Sequence, residues 1–298
     1  MTLTLEEIAI AFRNCNSDTQ FSFKDKLKKL DKSQKDYESG FIISDLHNYI
    51  LHDIEKLLSK AILNICAADY LIKQGYFSWG FVTSYYANFF LIQGLNRTQL
   101  NFTTWVDRSV NCRYEDYLKQ TIHIKIVERS KDEHQRQFQR FFDNFTDFRN
   151  KTGIDRYWNL GLRSFELSSE PKIRNQINYE ISLDSFYELN LNQKDFKKII
   201  KENKGSPFDQ PKESTRKTNY ARQNLKLALA RLRILTYILN VIAIRNLEYQ
   251  SYYERNMSNR LESLLDKYPD LSQWIEVFFK MWLFFDSELV ESDSIDKI

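Results

Sequence analysis

The residues with the clearest chemical potential form a basic stretch at the start of the last third of the chain. This stretch contains several Lys and Arg residues but a single acidic residue, Glu213. At helical spacing Arg222, Lys226 and Arg233 share one side, whereas Arg231 is displaced from it. A basic helix face of this kind can contact the phosphates of a nucleic acid; the alternative is a core helix whose polar side is basic. The predicted nucleic-acid-binding residues are Arg216, Lys217, Arg222, Lys226 and Arg233.

Three of the four histidines show no ligand or catalytic spacing. His47 and His52 lie five residues apart, which separates them by about 140° around a helix and gives them no common face. His123 falls on the polar side of a short alternating segment. We interpret these three as surface or hydrogen-bonded side chains. With no paired Cys motif and no Glu-x-x-His pattern, the sequence predicts neither a metal site nor a cofactor.

Composition excludes several classes of protein. The 298 residues include 7 Gly and 4 Pro, too few for glycine-cradled nucleotide folds or for turn-rich β-sandwiches. No Gly-x-x-x-x-Gly-Lys or Gly-x-Ser-x-Gly motif occurs. Hydrophobic residues make up 42% and charged residues 28%, which indicates a globular chain, and the net charge of +3 permits an anionic partner without requiring one.

Two consecutive helices are predicted in the first third of the chain. Apolar residues recur at three- and four-residue spacing from Leu46 to Leu71, with Ser44 as the expected N-cap and Gly75 as the C-terminal stop. From residue 77 to residue 92 aromatic and apolar residues cover nearly every side, which predicts a central helix buried all round and ended by Gly94. Within it, Gly80 and Ala87 are small enough for a neighbouring helix to approach closely.

The remaining segments predict a mainly α fold, in which a helical bundle carries a small β-containing insert and a C-terminal helical segment. The N-terminus shows a short helical pattern followed by a lysine-rich segment, expected to be a solvated face, and residues 95–128 are irregular apart from one short alternating segment. The other predicted elements are a strand around Ile122–Ile126, a polar helix over 132–152 with a phenylalanine stripe, a hairpin over 163–191, and helices over 195–204, 219–253, 256–267 and 272–285.

The predicted organisation has three segments. Residues 1–40 form the N-terminal helix and lysine-rich segment, residues 41–205 the bundle with its β insert, and residues 206–298 the C-terminal helices, after a proline-containing boundary at 205–211. The N-terminus has no signal-peptide pattern, and the apolar stretch 234–244 is too short to cross a bilayer. The three cysteines are unpaired by spacing, and Cys66 lies in an apolar pattern. We therefore expect a soluble, cytoplasmic protein with reduced thiols.

Two neighbouring segments resemble the helical-hairpin signature of the HEPN superfamily. The first is Ala67-Ala68-Asp69-Tyr70-Leu71 leading to Gly75-Tyr76-Phe77, and the second is Thr83-Ser84-Tyr85-Tyr86-Ala87-Asn88-Phe89-Phe90. The likeness extends chiefly over positions 44–150. It implies a four- or five-helix bundle that usually dimerises. Many members are metal-independent ribonucleases of bacterial toxin–antitoxin or antiviral defence systems, and others are inactive RNA- or nucleotide-binding modules.

The resemblance also implies a candidate catalytic pair. Active members carry Arg-x(4–6)-His, and this chain has one match, Arg129 to His134, at the start of the phenylalanine-striped helix; Ser130 departs from the residue that the family prefers after the arginine. Arginine offers a permanent cation to a phosphate, and histidine transfers protons near neutral pH. The alternative is that both side chains are exposed on a charged helix start.

These observations lead to two functional hypotheses. The first is an RNA- or nucleotide-binding, HEPN-like protein of a bacterial defence or toxin system with metal-independent ribonuclease activity, acting as a homodimer or with a protein partner. The second is a non-catalytic helical adaptor subunit that holds a partner chain through its apolar and aromatic surface.

Overall fold

A computed structural model describes residues 2–15, 21–30, 36–127, 133–152, 171, 174–175 and 215–267. Within these ranges the chain is mainly α, as predicted, with one small antiparallel sheet. The elements in chain order are α1 (Leu5–Ala11), α2 (Phe23–Lys29), β1 (Phe41–Ile43), α3 (His47–Lys73), α4 (Phe77–Thr98), β2 (Asn101–Trp105), β3 (Ser109–Asp116), β4 (Thr121–Ile126), α5 (Glu133–Thr152), α6 (Thr215–Arg245) and α7 (Leu247–Lys267).

The first long helix, α3, has its predicted C-terminus but not its predicted N-cap. Gly75 follows the C-cap with a φ of 81°, a left-handed conformation that glycine adopts without a steric penalty. The predicted N-cap at Ser44 is wrong. The chain turns at Asp45, whose φ is 60°, so that Leu46 occupies the N-cap position without a side-chain cap. Leu46 is fully buried there, and its burial replaces the hydrogen bond that Ser44 was expected to supply.

The central helix α4 packs against α3, α5 and α6. Its middle is inaccessible to solvent at Phe81, Tyr85 and Ile92, which confirms part of the predicted burial. Burial on every side is wrong, because a stripe with Tyr86 and Phe90 is partly exposed and Trp79 in the first turn is 62% exposed. The prediction that Gly94 ends the helix is wrong, because α4 continues to Thr98. A Cβ at Gly94 would lie 2.9 Å from Leu235 in α6, so this glycine allows a close helix–helix approach.

Gly80 performs the packing role that was predicted for it. A Cβ at this position would lie 2.5 Å from Cγ1 of Ile72, which is buried near the end of α3. Only glycine therefore permits the observed separation of α3 and α4 beyond their short connection.

The helix predicted over 219–253 is two helices, separated at Asn246. The Asn246 side-chain amide donates hydrogen bonds to the carbonyls of Phe12 and Cys15, and its oxygen accepts one from the Tyr249 backbone N–H. The same buried side chain thus caps α7 and anchors the segment that follows α1. The second predicted helix, over 256–267, is the C-terminal half of α7.

The sheet has the strand order β1-β4-β3-β2, with every pair antiparallel. Strand β4 confirms the predicted strand, whereas β2 and β3 occupy the segment that the sequence left irregular. One cross-strand row, which includes Ile124, Cys112 and Phe102, is buried against the helices. The adjacent row includes Arg113 paired with Asn101.

The phenylalanine stripe of α5 and the buried Cys66 are both confirmed. Burial raises the pKa of Cys66 to about 12, so its thiol stays protonated at neutral pH. Helix α2 lies in the lysine-rich segment and buries Phe23 and Leu27 while its lysines stay accessible at least in part. The hairpin over 163–191 lies outside the described residues except at positions 171, 174 and 175, as do the helices over 195–204 and 272–285 and the boundary at 205–211.

One helical segment, Asn224–Arg245 of α6, is long and apolar enough to cross a membrane by length and composition. In the fold 71% of its most apolar window is buried. The segment packs against α4 and α3 and also contains the buried polar residues Asn224 and Arg231. This burial assigns it to the core of the bundle.

The expectation for His47 is wrong, because its side chain is neither exposed nor hydrogen-bonded. It is 2% exposed, its ring meets Phe12 edge-on at 5.6 Å, and neither ring nitrogen has a hydrogen-bond partner among the described residues. Burial lowers the pKa of His47 to about 4, against a small opposing effect of Asp45.

The depressed pKa of His47 predicts acid destabilisation. The unfolded chain, with an ordinary histidine pKa near 6.5, binds the proton first, so the free energy of unfolding falls as the pH drops from about 6.5 to about 4. We expect this site to contribute a loss of about 3 kcal/mol over that range. Urea denaturation at pH 7 and pH 4 should show a smaller loss for His47→Leu than for the wild type. Equal losses in the two proteins would contradict the prediction.

Candidate functional site around His134

Helix α5 aims His134 at the central helix. His134 lies one turn before Phe138, so it shares the buried phenylalanine stripe that packs α5 on α4. Its imidazole stacks on the ring of Phe89, with the centroids 4.0 Å apart and the planes 3° from parallel. The residue as a whole is half-buried.

Tyr85 supplies a hydrogen-bond partner for the imidazole. The hydroxyl of Tyr85, a fully buried residue, lies 2.7 Å from Nδ1 of His134. A hydroxyl can donate or accept, so the pair is compatible with either tautomer. When the tyrosine donates, the imidazole proton is on Nε2, which then acts as a donor. When Nδ1–H donates, Nε2 is an acceptor that can take up a proton.

A polar network fixes the first turn of α5. Gln137 donates from Nε2 to Oε1 of Glu133 at 2.8 Å and to Oγ1 of Thr103 in β2 at 2.6 Å, and the Thr103 hydroxyl donates to Glu133 at 3.0 Å. From α4, Asn96 donates to the Gln137 carbonyl at 3.1 Å. Because these bonds join α5 to both the sheet and the central helix, they hold His134 at a defined position against α4.

Arg174 brings a positive charge close to this pair. It donates a hydrogen bond to the hydroxyl of Tyr86, and its guanidinium carbon lies 5.5 Å from the centroid of the Tyr86 ring and 6.0 Å from that of Tyr85. Burial lowers the pKa of His134 below its ordinary value, the charge of Arg174 lowers it further, and Glu133 opposes the change. His134 is therefore neutral at pH 7, beside a permanent cation.

The predicted pair is only partly visible, because Arg129 lies outside the described residues. His134 itself is directed against α4. The arginine that the structure brings close to His134 is Arg174, which the sequence analysis missed. No local signal marks Arg174, since 40 positions of sequence separate it from His134 and 88 from the Tyr86 hydroxyl that it contacts.

The basic stretch in α6 divides between the surface and the core. Arg222 and Lys226 are exposed one turn apart. Arg231 is buried, donates from Nη1 to Oδ1 of Asn88 at 2.9 Å and lies 5.2 Å from the centroid of the Phe141 ring. The side chains of the other three predicted binding residues lie outside the described part of the chain: Arg216, Lys217 and Arg233.

Within the described ranges no group of three or more His, Cys, Asp or Glu side chains has the arrangement of a metal site. No protein-family model, curated protein or solved structure matches the chain.

The position of Arg174 predicts a measurable effect on the titration of His134. Replacing Arg174 with Gln removes a positive charge beside the imidazole, so the pKa of His134 should rise toward its ordinary value. The shift can be followed from the His134 ring signals by NMR between pH 4 and pH 8. Arg245→Gln, which neutralises an exposed arginine at the end of α6, serves as the control. An unchanged pKa in Arg174→Gln would contradict the arrangement.

Proposed function

We propose that this protein is an HEPN-like RNA-binding ribonuclease of a bacterial defence or toxin system, acting in the cytoplasm without a metal ion. The observation that carries the proposal is the contact between His134 and Tyr85. It pairs the neutral imidazole of a half-buried residue with a group that can donate or accept a proton, beside an arginine. Paired HEPN domains usually form the site, so we propose a homodimer as the active form.

The proposed chemistry is general acid–base catalysis on a phosphodiester. Neutral His134 accepts the proton of a ribose 2′-hydroxyl as that oxygen bonds to the adjacent phosphorus. The bond from phosphorus to the 5′-oxygen breaks, and the protonated imidazole returns the proton to the departing 5′-oxygen. A guanidinium stabilises the negative charge that develops on the phosphate oxygens. Arg174, whose charge acts on His134, is the first candidate for this role, and Arg129 is the second candidate by resemblance.

The ribonuclease proposal predicts loss of cleavage in His134→Ala. Removing a general acid–base group lowers the rate by at least about 100-fold. Total RNA incubated with purified wild type in the presence of chelator should be cut, whereas RNA incubated with the variant should stay intact. His52→Gln changes a histidine of α3 and should cleave like the wild type; circular dichroism verifies that each variant is folded. Equal cleavage by wild type and His134→Ala would exclude His134 as the catalytic base.

The exposed cations of α6 predict a salt-dependent contact with RNA. If Arg222 and Lys226 each contact one phosphate, neutralising both in Arg222→Gln/Lys226→Gln should reduce the slope of log K against log salt concentration by about 1.4. Fluorescence anisotropy with a single-stranded RNA at several salt concentrations measures that slope. The matched control is Lys56→Gln/Lys60→Gln, an exposed pair with the same spacing on α3. An unchanged slope in the α6 variant would exclude this face.

A second candidate function, a non-catalytic adaptor, is favoured by exposed apolar side chains near the α3–α4 turn. Leu63 and Tyr70 are seven residues apart on one face of α3, with 55% and 58% of their surfaces exposed, and Tyr76 and Trp79 extend the exposed apolar surface into α4. Such residues are typical of protein contacts. Absence of both RNA cleavage and salt-dependent RNA binding would favour this adaptor function.

A further inference from the structure

On the other side of α5 an open cleft lies between that helix and the sheet. Its volume is about 470 Å³. Its lining residues are Asn101, Arg113, Gln135, Arg136, Gln139, Arg140 and Asp143. The residues from α5 are centred about 180° from His134 around the helix, so the cleft is separate from the candidate ribonuclease site.

Three guanidinium groups and one carboxylate group line the cleft. Arg113 extends from β3, where it pairs in register with Asn101, and Arg136 and Arg140 lie one turn apart on α5. The Asn101 amide donates to Oδ1 of Asn144 at 2.8 Å, which joins the edge of the sheet to α5. Elements distant in sequence therefore hold the three arginines together.

Among the residues that line the cleft in the described part of the chain, the positive charges outnumber the negative ones. Neither Arg113 nor Arg140 forms an ion pair there, and the carboxylate of Asp143 accepts a hydrogen bond from Gln139 at 2.9 Å. Nη1 of Arg140 is shielded from solvent and has no hydrogen-bond partner among the described residues. Burial lowers the pKa of Arg140, Cys112 and Glu133 oppose that change, and the charges of Arg113 and Arg136 lower the pKa further.

Bringing like charges together and burying a donor without an acceptor both cost free energy. An anion with several acceptor oxygens would remove both costs, because guanidinium groups bind such anions through paired hydrogen bonds. A phosphate matches this chemistry better than a carboxylate, since it offers three or more oxygens in different directions to donors that converge from a strand and a helix.

We propose that this cleft is a binding site for a phosphate group, held by Arg113, Arg136 and Arg140. The phosphate belongs either to a small molecule, such as a nucleotide, or to an RNA backbone. This inference goes beyond the proposed ribonuclease function and does not depend on it, because it involves neither His134 nor the exposed face of α6.

The test is isothermal titration of the full chain with pyrophosphate, with ATP and with a short single-stranded RNA. Arg113→Gln and Arg140→Gln should each weaken binding by about ten-fold or more. Asp143→Asn should strengthen it, because it removes the negative charge of the cleft. Arg245→Gln, which changes an exposed arginine outside the cleft, should bind as the wild type does. Binding of pyrophosphate or ATP identifies a small-molecule site, whereas arginine-dependent binding of RNA alone identifies a backbone site.

Binding that Arg113→Gln and Arg140→Gln leave unchanged relative to Arg245→Gln would overturn the proposal, as would the absence of binding by all three probes. Thermal unfolding without ligand provides a second measurement. Relief of the repulsion predicts that the Tm of Arg140→Gln equals or exceeds that of the wild type. A lower Tm in this variant, together with unchanged binding by Arg113→Gln, would identify the cluster as structural and would also overturn the proposal.

Discussion

Burial of most of the surface of α4 is the constraint on which the rest of this structure depends. Leu91 and Ile92 are inaccessible to solvent, as are Tyr85 and Phe81, about two and three turns before them. A helix that is apolar on nearly every side is stable in water only when other elements cover most of its surface. Helices α3, α5 and α6 provide that cover, and each brings its own polar groups into contact with α4.

The polar groups buried at these contacts set the positions of the surrounding helices. Asn88 of α4 donates to the Asn224 carbonyl of α6 at 3.0 Å, Asn224 donates to Oγ of Ser84 at 2.9 Å, and Arg231 donates to Asn88. Each buried polar atom requires its partner, so a shift of α6 along α4 would leave several of them unsatisfied. Tyr85 belongs to the same helix, and its hydroxyl imposes the same requirement on His134 in α5.

Helix α5 has two chemically different sides, because one side packs on α4 and the other faces the edge of the sheet. The side that packs on α4 is aromatic and places a neutral imidazole beside Tyr85, where desolvation favours the uncharged form. The side that faces the sheet edge carries Arg136 and Arg140 toward Arg113. The imidazole of His134 and the arginine cluster thus lie on opposite sides of one helix, so a variant can be made on one side without replacing a residue of the other.

The sequence alone determined the features that depend on local periodicity. The spacing of apolar residues located α3 and α4, the phenylalanine stripe located α5, and Gly75 located the end of α3. Tertiary structure decided the features that depend on distant partners. Asn246 interrupts the predicted helix because its amide bonds to carbonyls more than 230 positions away, and β2 and β3 acquire their pattern by pairing with each other and with β4. The sequence selected His134 through its position relative to Arg129, but its contacts with Tyr85 and Arg174, and the convergence of Arg113 with Arg140, required the packed fold. Short-range patterns encode which face of a helix is apolar. Which charged group or hydroxyl contacts that face depends on segments that are distant in sequence, so it is decided only when those segments pack together.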